Sequence, residues 1–148
     1  MWKDGAGNSI PDIKVWIKQN LDSNEFDNVA LGCDAGRSGA DMNFISAIVL
    51  DRKGSKGSIF AWKSCVEKKW GNSLAKKLLK EAELIVELVE LTQDFNINKE
   101  AHIDINTQPS AGSNTFLSTI RGWIESMGIA VIPKPNGYAS SSVADKYN

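Results

Sequence analysis

The sequence predicts an α/β fold in which a mixed five-stranded sheet carries helices on its faces. Three apolar, strand-like runs follow one another in the first half of the chain, and a polar loop with glycines joins the last two, as in an antiparallel hairpin. In the second half, segments with helical spacing alternate with short apolar strands, which is typical of parallel crossover units. The length of 148 residues and the 42% hydrophobic fraction fit a single domain spanning residues 1–148.

The first half is predicted to form one helix and three strands. Apolar residues recur at helical spacing after Pro11, a residue favoured in a first helical turn, so a short helix is expected at about residues 11–22. In the first strand large apolar residues alternate with small ones. One face of the strand therefore carries small side chains and ends in Asp34. Residues 35–39 are predicted as a flexible turn. The three strands are placed at residues 28–34, 42–50 and 58–66.

The second half is predicted to alternate helices and strands. Asn72 or Ser73 can cap the N-terminus of a long helix that reaches about Phe95. Gly128 is placed to end a later helix. The remaining elements are a strand at residues 102–106, a turn at 107–113, a helix at 116–127, a strand at 129–133 and a short terminal helix within 137–146.

Charge and composition narrow the function classes. The net charge of -1 argues against a strongly basic nucleic-acid coat and against a membrane-surface protein. No apolar run is long enough to cross a bilayer, and residues 1–5 lack the apolar stretch of a secretory signal. We therefore expect a soluble, cytoplasmic protein without a membrane partner, in which Cys33 and Cys65 are reduced core residues. The sequence leaves the oligomeric state open.

Three acidic residues conflict with their apolar surroundings. Glu81 lies inside the apolar arc of the long helix, where a carboxylate must be paired, neutralised or bound to a cation. Asp34 and Asp104 fall at or near the ends of apolar strands, where aspartate is disfavoured. If those strands are neighbours in the sheet, their carboxylates converge and Glu81 can reach the same place. Asp145, near the C-terminus, could add a fourth carboxylate.

Converging carboxylates predict a metal site. Three acids cannot all ionise side by side without cations, and oxygen ligands favour Mg²⁺ or Mn²⁺. Two such ions bridged by carboxylates suit the hydrolysis of phosphodiester bonds. Structural alternatives stay open at this point: Glu81 could reach water or meet a lysine, the aspartates could cap turns or helices, and Asp145 could be a solvated tail acid.

Residues 63–80 form a basic and aromatic segment. They hold six lysines and a single glutamate, with Trp70 among them and Trp62 immediately before. Such a segment can hold phosphates and stack bases, although a solvated face of a lysine-rich helix has the same composition. The candidate nucleic-acid-binding rim comprises Lys63, Lys68, Lys69, Lys76, Arg121 and Lys134. His102 is the single histidine, which excludes zinc clusters built on several histidines and favours a packed structural role.

The order of elements and acids resembles the ribonuclease H-like fold, with Asp34 on the first strand, Glu81 on the first long helix, Asp104 on the fourth strand and Asp145 at the last helix. More narrowly, the chain is similar to the YkuK-type ribonuclease H-like family of bacterial and phage proteins. The likeness rests on Gly32-Cys33-Asp34, His102-Ile103-Asp104-Ile105, Arg121-Gly122-Trp123, Lys134-Pro135 and residues 138–145. It covers the chain from about residue 28 onward, and departs from the family pattern at Ala35 and Asn136, where serine and aspartate are expected.

The resemblance implies a metal-dependent nuclease. Asp34 and Asp104 would contact or bridge two Mg²⁺ or Mn²⁺ ions, while Glu81 and Asp145 would each complete one coordination sphere. RNA in a hybrid, structured DNA and a branched junction are all compatible substrates. The alternative is a module of the same fold that has lost catalysis and acts as an adaptor or nucleic-acid clamp. A third, weaker alternative is a structural protein whose acids only cap and pair.

Overall fold

The computed structural model describes residues 1–103, 113–133 and 136–147, and it leaves the side chains of residues 113–117 and 140–142 outside the description. Seven strands form one sheet in the order β2-β1-β5-β4-β3-β6-β7. The strands are β1 (Trp2–Asp4), β2 (Ser9–Ile10), β3 (Phe26–Ser38), β4 (Asp41–Arg52), β5 (Ser58–Glu67), β6 (Asn98–His102) and β7 (Ala130–Ile132). The α-helices are α1 (Ile13–Leu21), α2 (Leu74–Thr92) and α3 (Ser113–Glu125). A C-terminal helical segment follows, made of a π-helix at Ala139–Ala144 and a 3₁₀-helix at Asp145–Tyr147.

The predicted α/β architecture is confirmed. Strands β3, β4 and β5 form the expected antiparallel meander, and β6 and β7 then add in parallel beside β3. The sheet has two strands more than predicted, because β1 and β2 form a small hairpin that pairs with the outer edge of β5. The turn of that hairpin is organised by Asp4, whose carboxylate accepts hydrogen bonds from the backbone N–H groups of Ala6 and Asn8.

The end of β3 and the start of β6 each differ from the predicted boundary by four residues. Residues 35–38 belong to strand β3 rather than to a flexible turn, because they pair with the start of β4 and leave only a two-residue connection. Gly39 has φ of 61° in that connection, a conformation that glycine adopts without steric cost. Strand β6 begins four residues earlier than predicted, because its polar start, Asn98 to Glu100, pairs with Asn28 to Ala30 of β3.

The two faces of the sheet are covered by different elements. On the helix face, Val29, Leu31 and Cys33 join the main core together with apolar residues of α1, α2 and α3. On the opposite face, which we call the C-terminal face, Ala30 packs against Ala139 of the C-terminal helical segment. The small residues that alternate along β3 therefore let this segment approach the sheet closely. Among the described residues, no helix is both long and apolar enough to cross a membrane.

Candidate metal centre

Asp34 lies toward the C-terminal end of strand β3, which pairs with β4 on one side and β6 on the other. It is 5% exposed, and its cross-strand partner in β4 is Ile45. Because neighbouring side chains alternate between the two faces of a strand, Asp34 belongs to the C-terminal face and Cys33 to the helix face. The strand thus places a buried carboxylate on its small-residue face, which the C-terminal helical segment covers.

Glu81 comes to the same region from the helix face. Ser73 caps α2 by accepting a hydrogen bond from the N–H of Lys76, and the helix then carries Glu81 into the apolar interface with the sheet, where it is 6% exposed. Its Oε1 lies 3.7 Å from the Nζ of Lys77. Glu81 therefore meets a lysine, which was one of the two structural alternatives for this residue.

The thiol of Cys33 lies close to both carboxylates. Cys33 and Glu81 share the wall of a small, mostly apolar cavity that His102, Ile103 and Ile120 help to close. Burial raises the pKa of the Cys33 thiol well above its usual range, and the negative charges of Glu81 and Asp34 raise it further. Glu81 therefore reaches Cys33 on the helix face, whereas Asp34, the next residue of β3, belongs to the C-terminal face.

Asp145 approaches from the C-terminal helical segment. Ala144, the residue before it, is fully buried against Ile45 and Ala47 of β4. Since Ile45 is the cross-strand partner of Asp34, the segment brings the chain next to Asp34 just before Asp145. Asp145 itself is exposed and begins the final 3₁₀ turn.

The fourth predicted ligand, Asp104, lies outside the described residues. Within the described residues, no three His, Cys, Asp or Glu side chains are arranged so that they could hold one metal ion. The structure thus places Asp34 and Glu81 on opposite faces of β3, with Glu81 beside Cys33 on the helix face and Ala144 near Asp34 on the C-terminal face.

Comparison with known proteins identifies the family. The sequence matches the family described as ribonuclease H-like over residues 9–148. The chain belongs to the ribonuclease H-like family. The sequences of curated proteins gave no match.

Two solved structures resemble the ribonuclease H-like chain at low sequence identity. The first is RNase H1 from the halophilic archaeon Halobacterium salinarum NRC-1, at 16% identity and a TM-score of 0.43, over 80% of this chain and 96% of that one. The second is the N-terminal RNase H domain of Rv2228c from Mycobacterium tuberculosis, a fusion with maltose-binding protein. It has 9% identity and a TM-score of 0.35, over 81% of this chain and 92% of that one.

Part of the predicted rim lies at the same end of this ribonuclease H-like sheet as Asp34. Lys68 and Lys69 follow β5 and contact Asp41 at the start of β4, with 3.0 Å between Lys68 Nζ and the carboxylate. Lys76 lies over the ring of Trp70, 4.3 Å from its centroid. The β3–β4 turn is five residues from Asp34, or roughly 17 Å of extended strand.

The remaining residues of the predicted rim are Lys63, Arg121 and Lys134. Lys63 lies over Trp2, 5.6 Å from the ring centroid, on the helix face. The guanidinium of Arg121 lies 3.4 Å from the carboxylate of Glu125. Lys134 lies outside the described residues.

Sequence reasoning missed two cations at this end of the molecule. Lys77, the ion-pair partner of Glu81, precedes it by four residues on one helix, and that spacing is the signal that could have found it. Arg37 donates a hydrogen bond to the carbonyl of Gly71 and so ties β3 to the loop before α2. Its partner lies 34 residues away, and no local pattern indicates such a pair.

Proposed function

We propose that the protein is a metal-dependent nuclease of the YkuK type, which hydrolyses phosphodiester bonds of RNA or DNA with two Mg²⁺ or Mn²⁺ ions. Asp34, Glu81, Asp104 and Asp145 would hold the ions. The observation that carries the proposal is the pair of nearly buried carboxylates, Asp34 and Glu81, on either side of Cys33. Carboxylate oxygens are the donors that both ions prefer, so the residues present fit the proposed metals.

Electrostatics supports the proposal. Burying an ionised carboxylate costs several kcal/mol unless opposite charge compensates it. Lys77 brings one positive charge to Glu81 from a distance of 3.7 Å. Divalent ions held by these carboxylates would compensate more of their negative charge than the single ammonium of Lys77 does.

The strand register supports a contribution from Asp104. Gly32 of β3 pairs with His102 of β6 in parallel. In the sequence, Asp34 lies two residues after Gly32, and Asp104 lies two residues after His102. In the sequence, the two aspartates thus have the same offset from a pair of residues that the parallel register joins.

The chain's own residues would position the substrate. When bound, the metals would supply charge stabilisation and an activated water for attack on phosphorus. Lys68, Lys69 and Lys76 would hold the nucleic-acid backbone at the Asp34 end of the sheet. The ion pair between Lys68 and Asp41 is exposed and contributes little to stability, so a phosphate can replace the carboxylate at small cost.

The test is a cleavage assay with labelled RNA–DNA hybrid, single-stranded and branched substrates, titrated with Mg²⁺ and Mn²⁺. We expect metal-dependent cleavage that falls at least about 100-fold in Asp34→Asn and in Asp104→Asn. Glu81→Gln should behave in the same way. Glu83→Gln is its matched control, because Glu83 is an exposed acid on the same helix. Cleavage that survives in Asp34→Asn would refute the assigned site.

One observation favours the alternative, a nucleic-acid clamp of the same fold without catalysis. Lys77 already compensates the charge of Glu81, so the helix-face carboxylate is satisfied in part without metal. A clamp should bind the substrates tightly in the presence of Mg²⁺ or EDTA alike and cleave none of them. If Lys68→Ser and Lys76→Ser weaken binding and make the affinity less dependent on salt concentration, these lysines belong to the binding surface.

A further inference from the structure

His102 is completely buried at the end of β6, on the C-terminal face. Its Nδ1 accepts a hydrogen bond from the backbone N–H of Ala139 at 3.0 Å. Its Nε2 lies 2.8 Å from the Oε2 of Glu100. Since a backbone N–H can only donate, Nδ1 carries no proton, and Nε2 is the nitrogen that donates to the carboxylate. The surroundings therefore fix one neutral tautomer.

Gly137 and Tyr138, the two residues before Ala139, pack closely against His102. The ring of Tyr138 meets the His102 ring edge-on, with 4.4 Å between centroids. A Cβ atom on Gly137 would lie 2.8 Å from the carbonyl oxygen of Ile132 and 3.3 Å from the Cβ of His102, so this approach requires glycine. Three consecutive residues thus dock on His102 at the point where the C-terminal helical segment begins.

The far end of the segment is also held. Tyr147 stacks on Trp62 of β5 with 4.1 Å between ring centroids and 10° between planes. Ala144 is buried between these two attachments. Asp145 therefore lies on a short stretch that is fixed on both sides.

We propose that His102 is a positioning residue of the metal centre. By accepting the Ala139 N–H, it fixes the C-terminal helical segment that presents Asp145, and it does so from the strand that leads to Asp104. This inference rests on the proposed function. It adds a role for a side chain that is neither ligand nor contact of the substrate, comparable to the outer groups that orient ligands in metalloproteins.

Two variants separate the hydrogen bonds of the ring. His102→Asn places an amide oxygen near the position of Nδ1 and keeps an acceptor for Ala139, but it cannot reach Glu100. His102→Gln extends toward Glu100 and offers no acceptor near Ala139. Tyr138→Phe is a matched control, because it removes the hydroxyl that donates to Asp51 and leaves the Ala139–His102 bond in place.

Two readouts are needed, neither of which is cleavage. Amide hydrogen exchange at Ala139 and residues 143–147 reports whether the segment is anchored. Free Mn²⁺, followed by its EPR signal, reports metal affinity. In His102→Gln we expect exchange at Ala139 to accelerate and the Mn²⁺ Kd to weaken about 10-fold. His102→Asn and Tyr138→Phe should stay close to the parent in both.

Each outcome decides the inference. Faster exchange in His102→Gln with unchanged Mn²⁺ affinity would show a merely structural histidine and overturn the positioning role. Unchanged exchange would overturn the anchor itself. A long-range ¹H–¹⁵N spectrum of the parent protein tests the same bond without any variant: a proton on Nδ1 would contradict it, and a proton on Nε2 supports it.

Failure of the proposed function would look different. If the parent protein neither binds Mn²⁺ nor cleaves any substrate, the proposed nuclease is refuted and the positioning role with it. If the parent binds Mn²⁺ and both His102 variants bind it equally well, only the positioning role is refuted.

Discussion

The ion pair between Lys77 and Glu81 offers a sharp test of what Glu81 does. Replacing Lys77 with methionine keeps a long, flexible side chain on α2 and removes its charge. Glu81 is only 6% exposed, so its carboxylate then depends more heavily on any other positive charge that reaches it. We expect Lys77→Met to lower the stability of the metal-free protein and to raise its affinity for Mn²⁺.

The magnitude follows from the geometry. At 3.7 Å, two unit charges attract by about 4 kcal/mol at an effective dielectric constant of about 20. The Lys77 side chain is 29% exposed, so solvent screening and side-chain entropy reduce the net contribution to about 1–2 kcal/mol. For a protein of this size that corresponds to a Tm lower by roughly 3–6 °C.

The assay is thermal unfolding with and without Mn²⁺. If Glu81 binds the ion, loss of the neighbouring ammonium should tighten Mn²⁺ binding about 10-fold, which adds about 1.4 kcal/mol at saturation and largely restores the lost stability. Lys80→Met is the matched control. Lys80 lies on the same helix and forms a 3.2 Å ion pair with Glu67, which is more exposed than Glu81 and belongs to no proposed metal site.

Equal Mn²⁺ shifts in the parent protein, Lys77→Met and Lys80→Met would refute the assignment of Glu81 to the metal centre. In that case Glu81 would be a buried ion-pair partner and nothing more.

Three further predictions concern stability. Gly137→Ala should cost about 1–3 kcal/mol in a denaturant titration, because the added methyl group collides with the Ile132 carbonyl. Burial raises the pKa of the Cys33 thiol in the folded state, so the folded protein favours the protonated thiol. The free energy of unfolding should therefore be constant below about pH 8.5 with respect to this group. Above that pH it should fall by up to about 1.4 kcal/mol per pH unit. Cys33→Ala should flatten that decline, and an unchanged slope would contradict the assignment. Tyr147→Ala should lower stability by about 1–2 kcal/mol through loss of the stack on Trp62, whereas Tyr147→Phe should retain most of it.

The fold was largely predictable because its strongest signals are local. The apolar spacing of α1, the N-cap at Ser73 and the large–small alternation before Asp34 each depend on residues close in sequence, and the structure contains all three features. The N-terminal hairpin escaped prediction because β1 and β2 have three and two residues, too few to show a period. They exist through pairing with the distant strand β5.

The candidate site was predictable only in part. Glu81 was predictable because the helical periodicity of α2 places this single carboxylate among apolar residues, which is a local conflict. The start of β6 was misplaced because the polar residues Asn98 to Glu100 have low strand propensity, and their pairing with β3 overrides it. The anchoring of Ala139 on His102 joins residues 37 positions apart, and only three-dimensional contact reveals it.

A crystal soaked in Mn²⁺ tests the central claim most directly, because anomalous scattering locates the ions and their ligands together. We expect two ions held by carboxylate oxygens at the end of β3, with Asp34 and Asp104 contacting or bridging them and Glu81 and Asp145 each contacting one. Ions bound elsewhere, or an Asp104 side chain directed away from Asp34, would contradict the proposed nuclease centre.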